Sequence, residues 1–424
     1  MSRLPIARLR KLSNIVMPLH HLPMGGPVTV PADFMGMCFI RYPVLAENPI
    51  GVINYGGVRM SQQHGTRWSE IETAPGVYDW TVMDQYVTFQ RQNAKTVYAG
   101  LYGTPRFYAD NVTPNPTLTD YAQRGPWGLF GEGAMPTSLP ALANFVVALI
   151  TRYNLPGGAW YNLYGATLGK GIQAWETWNE PECWYYSSGG HLPLRADSDG
   201  RSGRFGWMTG PQLTDLHVTQ YDAIKAIDAS VSVTTPGFTS HTARWLARAL
   251  TQVGPGTGKT MAATCDSVAW HPYLHTPLGW ATFGQRYSDD LGYGAEGVFP
   301  MRAALAVAGI PNKPLRISEW GVDAGQTDPA IIDWCSRPPD YRRRWIARCF
   351  GACAALGVQQ VAPWHWHMTG AVTTAGNYQN DVTGAQAGFN EAAANLPGRT
   401  ITAAAYLPSG ELRLTFASGP SWTI

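Results

Sequence analysis

The sequence predicts an α/β protein: a (β/α)8 barrel followed by a small antiparallel β appendage at the carboxyl end. Three observations lead there. Over most of the 424 residues, short apolar runs alternate with longer helix-like segments, as βα units around a parallel sheet require. Eight such runs can be counted, the number a closed barrel needs. From about Gly384 the pattern changes to short alternating segments with a turn at Pro408-Ser409-Gly410, which fits an antiparallel hairpin.

In chain order the expected strands are Met35 to Ile40, Gly57 to Met60, Thr96 to Tyr102, Gly171 to Trp178, Val231 to Gly237, Ser267 to Trp270, Leu315 to Ser318 and Gln360 to Trp364. The clearest helices between them are Leu139 to Tyr153, Thr214 to Ile227, Met301 to Ala308 and Tyr341 to Leu356, each with apolar residues recurring at three and four. Ser138 and Thr209 are helix-start signals and Gly357 a stop signal. Residues 1–384 are thus expected to form the barrel with an amino-terminal extension, and 385–424 a β appendage packed on it.

Four connections after strands are long: Gly103 to Thr137, Pro181 to Gly210, His271 to Pro300 and Gly321 to Asp340. In a barrel those loops build the functional face, so length spent there implies a walled cleft. The polar, glycine-rich segment 191–204 is its expected mobile piece.

Composition excludes several classes. A formal net charge of +2 lacks the basic excess of a nucleic-acid binder, and no run of 18 apolar residues predicts a membrane span. The amino terminus is basic but has no continuous apolar stretch of the Sec signal type, so a soluble chain is expected, cytoplasmic or exported by another route. Six cysteines form no Cys-x-x-Cys pair, which predicts free thiols rather than a zinc site or a disulfide framework. Aromatic residues make up 12% of the chain, enough to furnish both a core and stacking surfaces for flat apolar ligand faces. The composition leaves the oligomeric state open.

Two stretches carry chemistry. QAWETWNEPE at 173–182 is a strand-like run ending in Asn179 and Glu180, with Glu176 and Glu182 nearby, and PLRISEWG at 314–321 is another, ending in Glu319. A carboxylate after an apolar strand is costly unless used or paired. Two of them delivered by rigid strands to the same end of a barrel suit glycosidic cleavage, where one protonates the leaving oxygen and the other meets the charge at the anomeric carbon. Alternation puts Ala174, Glu176, Trp178 and Glu180 on one face of the strand and Trp175, Thr177 and Asn179 on the other. Glu176, one repeat deeper than Glu180, is expected to need a hydrogen-bonding partner in the barrel interior. Glu182 has passed Pro181 into the loop.

WETWNEPE resembles the acid/base motif of clan A glycoside hydrolases, and in its longer form Trp-Glu-x-Trp-Asn-Glu-Pro it is most similar to glycoside hydrolase family 39. WSEIETAPGVYDWTVMD at 68–84 extends the likeness, which spans roughly Met35 to His367. The resemblance implies Glu180 as general acid/base, Asn179 as holder of the hydroxyl beside the reacting carbon, Glu319 as nucleophile and Arg59 as its hydrogen-bonding partner. It further implies His271 and Tyr273 of AWHPY, Trp178, and Trp364 of VAPWHW as substrate-binding residues. His365 and His367 follow Trp364, but two histidines without a third ligand make no metal site, and neither metal nor cofactor is expected. The implied activity is retaining hydrolysis of β-linked sugars, endo-acting on a polysaccharide. An exo-acting β-xylosidase-like enzyme and a non-catalytic carbohydrate-binding barrel remain the alternatives.

Overall fold

The computed structural model describes residues 20–22, 24–38, 54–60, 66–109, 135–181, 210–238, 243–272, 285–286, 294–295, 298–320, 337–363 and 382–424. All eight expected strands are present within these limits: β1 (Gly36–Cys38), β2 (Gly57–Arg59), β3 (Thr96–Gly100), β4 (Ala174–Glu176), β5 (Ser232–Thr234), β6 (Val268–Trp270), β7 (Leu315–Trp320) and β8 (Val358–Pro363). Nearly every strand residue is buried, as in a parallel sheet covered on both faces.

The strands form two parallel sheets in sequence order, β1 to β5 and β6 to β8. Isolated parallel bridges stand at both seams. Thr234 with Ser267 and Phe238 with Trp270 join β5 to β6, while Met35 with Val361 joins β8 to β1. Gly36 lies at the second seam, where a Cβ would come within 2.9 Å of the Ala362 Cβ, so only glycine allows these backbones to approach.

Helices cover the sheets: α1 (Thr81–Gln92), α2 (Leu139–Asn154), α3 (Ala159–Leu168), α4 (Gly210–Ile227), α5 (Ala243–Thr251), α6 (Val298–Val307) and α7 (Pro339–Ala355). Ser138 caps α2, its hydroxyl accepting from the Ala141 N–H at 3.1 Å. Gly357 follows α7 at φ 70°, the left-handed stop that glycine permits. α6 and α7 begin earlier than sequence spacing implied, because Pro300 and Pro339 lie in their first turns, where a missing N–H costs nothing. Thr209 lies outside the described residues.

The carboxyl segment differs from expectation at its start. Residues read as alternating strands instead form α8 (Ala387–Asn395), entered through a wide helical turn at Val382–Gln386. Phe389 and Ala392 recur at helical spacing and are fully buried, and Phe389 meets Phe350 of α7 at 5.3 Å between ring centroids. Only then come β9 (Thr400–Tyr406), β10 (Leu412–Phe416) and β11 (Trp422–Thr423), an antiparallel sheet turning through Gly410 at φ 83°. Short strands His20–His21 and Val28–Thr29 pair with β9, so both ends of the described chain share this sheet. Among the described residues no helix is long and apolar enough to cross a membrane.

Candidate active site

The carboxyl end of β4 is held from outside by α4. Trp175 Nε1 donates to Gln220 Oε1 at 2.8 Å, Gln220 Nε2 donates to the Thr177 carbonyl at 2.9 Å, and His217 Nδ1 meets Thr177 Oγ1 at 2.8 Å. With 175 and 177 facing the helix, Glu176 faces inward. Its buried carboxylate accepts from Arg59 Nε at 3.0 Å and, more closely, from Nη2. The interior partner that the sequence demanded for Glu176 is therefore Arg59.

Beyond β4 the chain stays tied to the β5 end, with the Gly237 N–H donating to the Trp178 carbonyl at 3.0 Å and the Glu180 N–H to the Gly237 carbonyl at 2.8 Å. Strict alternation then fails. Asn179 also reaches Arg59, its Oδ1 accepting from Nη2 at 2.5 Å, while Nδ2 is buried with no partner among the described residues. Glu180 takes φ 39°, a left-handed conformation costing a non-glycine residue roughly 1–3 kcal/mol unless its surroundings enforce it. Here the backbone bond to Gly237 and a side-chain bond to His271 do so. Trp178 is fully buried, its ring 6.0 Å from that of Tyr102.

Glu319 arrives from β7 and accepts from Arg59 Nη1 at 3.0 Å. His271, at the end of β6, joins the two glutamates. Its Nδ1 lies 2.8 Å from Glu180 Oε1 and 3.7 Å from Glu319 Oε2, and its Nε2 lies 3.0 Å from Ser318 Oγ. One oxygen of each glutamate and a ring nitrogen of His271 all fall within 4.8 Å of one another. These three would form a donor set for a cation, but the Arg59 guanidinium already holds Glu319 Oε2, and its positive charge opposes a second one there. The set suits acid–base chemistry better.

Glu180, Glu319, Arg59, Asn179 and His271 are thus brought together, all less than a tenth exposed. Tyr273, Trp364, Glu182, His365 and His367 lie outside the described residues, as do the long connections for most of their length.

Burial disfavours the Arg59 charge, but the carboxylates of Glu176 and Glu319 around it hold its pKa well above the ordinary value, so it stays a cation. Cys38, at the end of β1, accepts from Arg59 Nη1 at 3.4 Å. Burial pushes its thiol up to about 12 despite the pull of Arg59, so it is a neutral acceptor here rather than a nucleophile. Sequence reasoning missed three contributors: Cys38, Ser318 and Gly237. Ser318 could have been found as the neighbour of Glu319. Gly237 carries no sequence signal for its role, which is to leave room: a Cβ there would come within 2.9 Å of both Glu176 Oε1 and His271 Cε1.

Compared by sequence, the chain matches no protein-family model and no curated protein. Compared by structure, it is similar to a glucosidase from Croceicoccus marinus at 13% identity, covering 92% of this chain and 71% of that one with a TM-score of 0.54. Looser likenesses include xylanase 10B from Thermotoga maritima (11% identity, 86% and 95% covered, TM-score 0.47) and a Paenibacillus polymyxa xyloglucanase from glycoside hydrolase family 44 (13%, 92% and 84%, 0.47). At these identities the first likeness speaks for a shared fold, and function has to be argued from the site.

Proposed function

We propose that the two parallel sheets close through their seam bridges into a (β/α)8 barrel, and that the chain is a retaining glycoside hydrolase. The observation that carries this reading is the convergence of Glu180 and Glu319, from β4 and β7, on one imidazole nitrogen, with oxygens within 4.8 Å. Retaining enzymes keep their carboxyl groups about 5 to 5.5 Å apart, and inverting ones about 6.5 to 9.5 Å to admit a water.

In the first step the Glu319 carboxylate, ionised beside Arg59, attacks the anomeric carbon while Glu180 gives its proton to the departing oxygen. The glycosidic bond breaks and an ester to Glu319 forms. In the tautomer with its hydrogen on Nδ1, His271 donates to Glu180 Oε1, and the acid proton then sits on Oε2. In the second step Glu180, now a carboxylate, removes a proton from water as the water attacks the same carbon, releasing Glu319 and restoring the acid. Asn179 Nδ2, buried without a partner among the described residues, is a donor suited to the sugar hydroxyl beside the reacting carbon. The resemblance of WETWNEPE to the family 39 motif supports a family 39-like enzyme, and the long connections support endo action on a β-linked polysaccharide.

Glu319→Ala should abolish hydrolysis. Glu180→Gln should slow substrates with poor leaving groups by roughly 10²- to 10⁴-fold and spare activated aryl glycosides, because only the former need a proton. Proton NMR of the first-formed product should show retained anomeric configuration; inversion would refute the double displacement. A panel of β-linked polysaccharides and bacterial exopolysaccharides, with products sized, identifies the substrate and separates endo from exo cleavage.

A further inference from the structure

Arg59 uses all five of its N–H donors inside the protein. Nε and one Nη2 hydrogen go to Glu176 Oε1, the other Nη2 hydrogen to Asn179 Oδ1, and the two on Nη1 to Glu319 Oε2 and Cys38 Sγ. The guanidinium is a rigid planar fork, so whatever grips its Nε–Nη2 edge decides where Nη1 points. That grip is Glu176, whose own carboxylate lies so near the neighbouring strand end that a Cβ on Gly237 would come within 2.9 Å of Oε1.

We infer that Glu176 is a positioning residue for the reaction: it clamps Arg59 so that one guanidinium meets Glu319 and Asn179 together, and its charge tempers the field Arg59 exerts on Glu319. The inference rests on the glycosidase reading above. An arginine facing Glu319 alone would neutralise it one to one, holding the carboxylate ionised but weakening it as a nucleophile. Shared between two carboxylates, the same cation leaves the trio with one net negative charge, so Glu319 is ionised and still basic.

Among the described residues, the titratable and charged groups facing Glu319 are Cys38 from β1, Arg59 from β2, Glu176 and Glu180 from the β4 end and His271 from the β6 end; Val358–Pro363 of β8 carries none. Cys38 is a neutral thiol at working pH. Of the rest, Glu176 is the carboxylate that acts on Glu319 through Arg59 rather than by touching substrate.

Two variants test this. Glu176→Gln keeps an acceptor for Arg59 and removes the charge, while Glu176→Asp keeps the charge and shortens the reach. With folding monitored by thermal melting, kcat and the pH profile of kcat/KM are measured on an activated aryl β-glycoside. In parallel the Glu319 carboxylate is titrated by carbon-13 NMR, its signal identified by its loss in Glu319→Gln. Glu176→Gln should lower kcat about tenfold or more and move both the acidic limb and the Glu319 titration midpoint to lower pH by about one unit. Glu176→Asp should lower kcat with the limb unmoved, since only the geometry has changed. Wild-type kcat and an unmoved Glu319 midpoint in Glu176→Gln overturn the inference; if that variant fails to fold, wild-type kcat in Glu176→Asp overturns it. If the wild-type protein hydrolyses no glycoside, the glycosidase reading fails, while the NMR midpoint still tests the electrostatic coupling without turnover.

Discussion

His217 offers a test that needs no substrate. It is fully buried in α4, with Nε2 2.8 Å from the Thr264 carbonyl and Nδ1 2.8 Å from Thr177 Oγ1, two residues before Asn179. A carbonyl only accepts, so Nε2 carries the hydrogen and Nδ1 accepts from the threonine. Burial lowers the pKa from 6.5 to about 4, against the smaller upward pulls of the Thr264 carbonyl and of Asp222 and Asp266. As pH falls, the unfolded chain takes up this proton first. The contribution to stability is therefore whole above pH 6.5 and is lost progressively down to about pH 4. At about 1.4 kcal/mol per pH unit, the gap corresponds to about 3 kcal/mol, a large share of a typical folding free energy of roughly 5–15 kcal/mol. Urea unfolding of the wild type and of His217→Asn at several pH values between 7 and 4 isolates the effect, because other titrating groups contribute equally to both proteins. The wild type should lose about 3 kcal/mol more than the variant across that window. Parallel stability curves, or an imidazole that titrates in the folded protein near pH 6.5, would refute the reasoning.

The site and its supports make further demands. Gly237→Ala would drive a methyl group against the His271 imidazole and Glu176 Oε1, so activity should fall roughly 100-fold while circular dichroism stays native; full activity would mean that the close approach is not needed. Asn154 joins α2 to the start of β4, donating to the Ile172 carbonyl at 2.7 Å and to Asp228 Oδ2 at 2.9 Å and accepting from the Ile172 N–H at 2.9 Å. Asn154→Ala strands the buried N–H and carbonyl of Ile172, while Asp228 keeps Lys170 and Ser230, and should cost about 2–3 kcal/mol by urea unfolding. A loss below about 0.5 kcal/mol would show that water replaces the amide.

Much of this architecture was legible in one dimension. Each of the eight strands is a short apolar run buried on both sides, and that burial imprints the sequence directly; only the ends differ, as at Met35 and Ser318. Helix starts were less legible where proline stood in the first turn, and α8 was misread because nine residues, four of them alanine with one glycine, give too short a period to separate a helix from alternating strands. At the site, the carboxylates of Glu180 and Glu319 were visible because a charge after an apolar strand is anomalous wherever it occurs.

What the sequence determined by itself, then, was the set of parallel strands and the two glutamates at their ends, since both are properties of local composition. The tertiary structure alone decided which charges meet. Arg59 and Glu319 are 260 residues apart, yet a single guanidinium spans Glu319, Glu176 and Asn179, and a single imidazole nitrogen lies between Glu180 and Glu319. The left-handed turn at Glu180 is likewise imposed by Gly237 and His271 rather than by any preference of glutamate. Electrostatic coupling depends on distance through space, and that distance is set by sheet order, which no local pattern records.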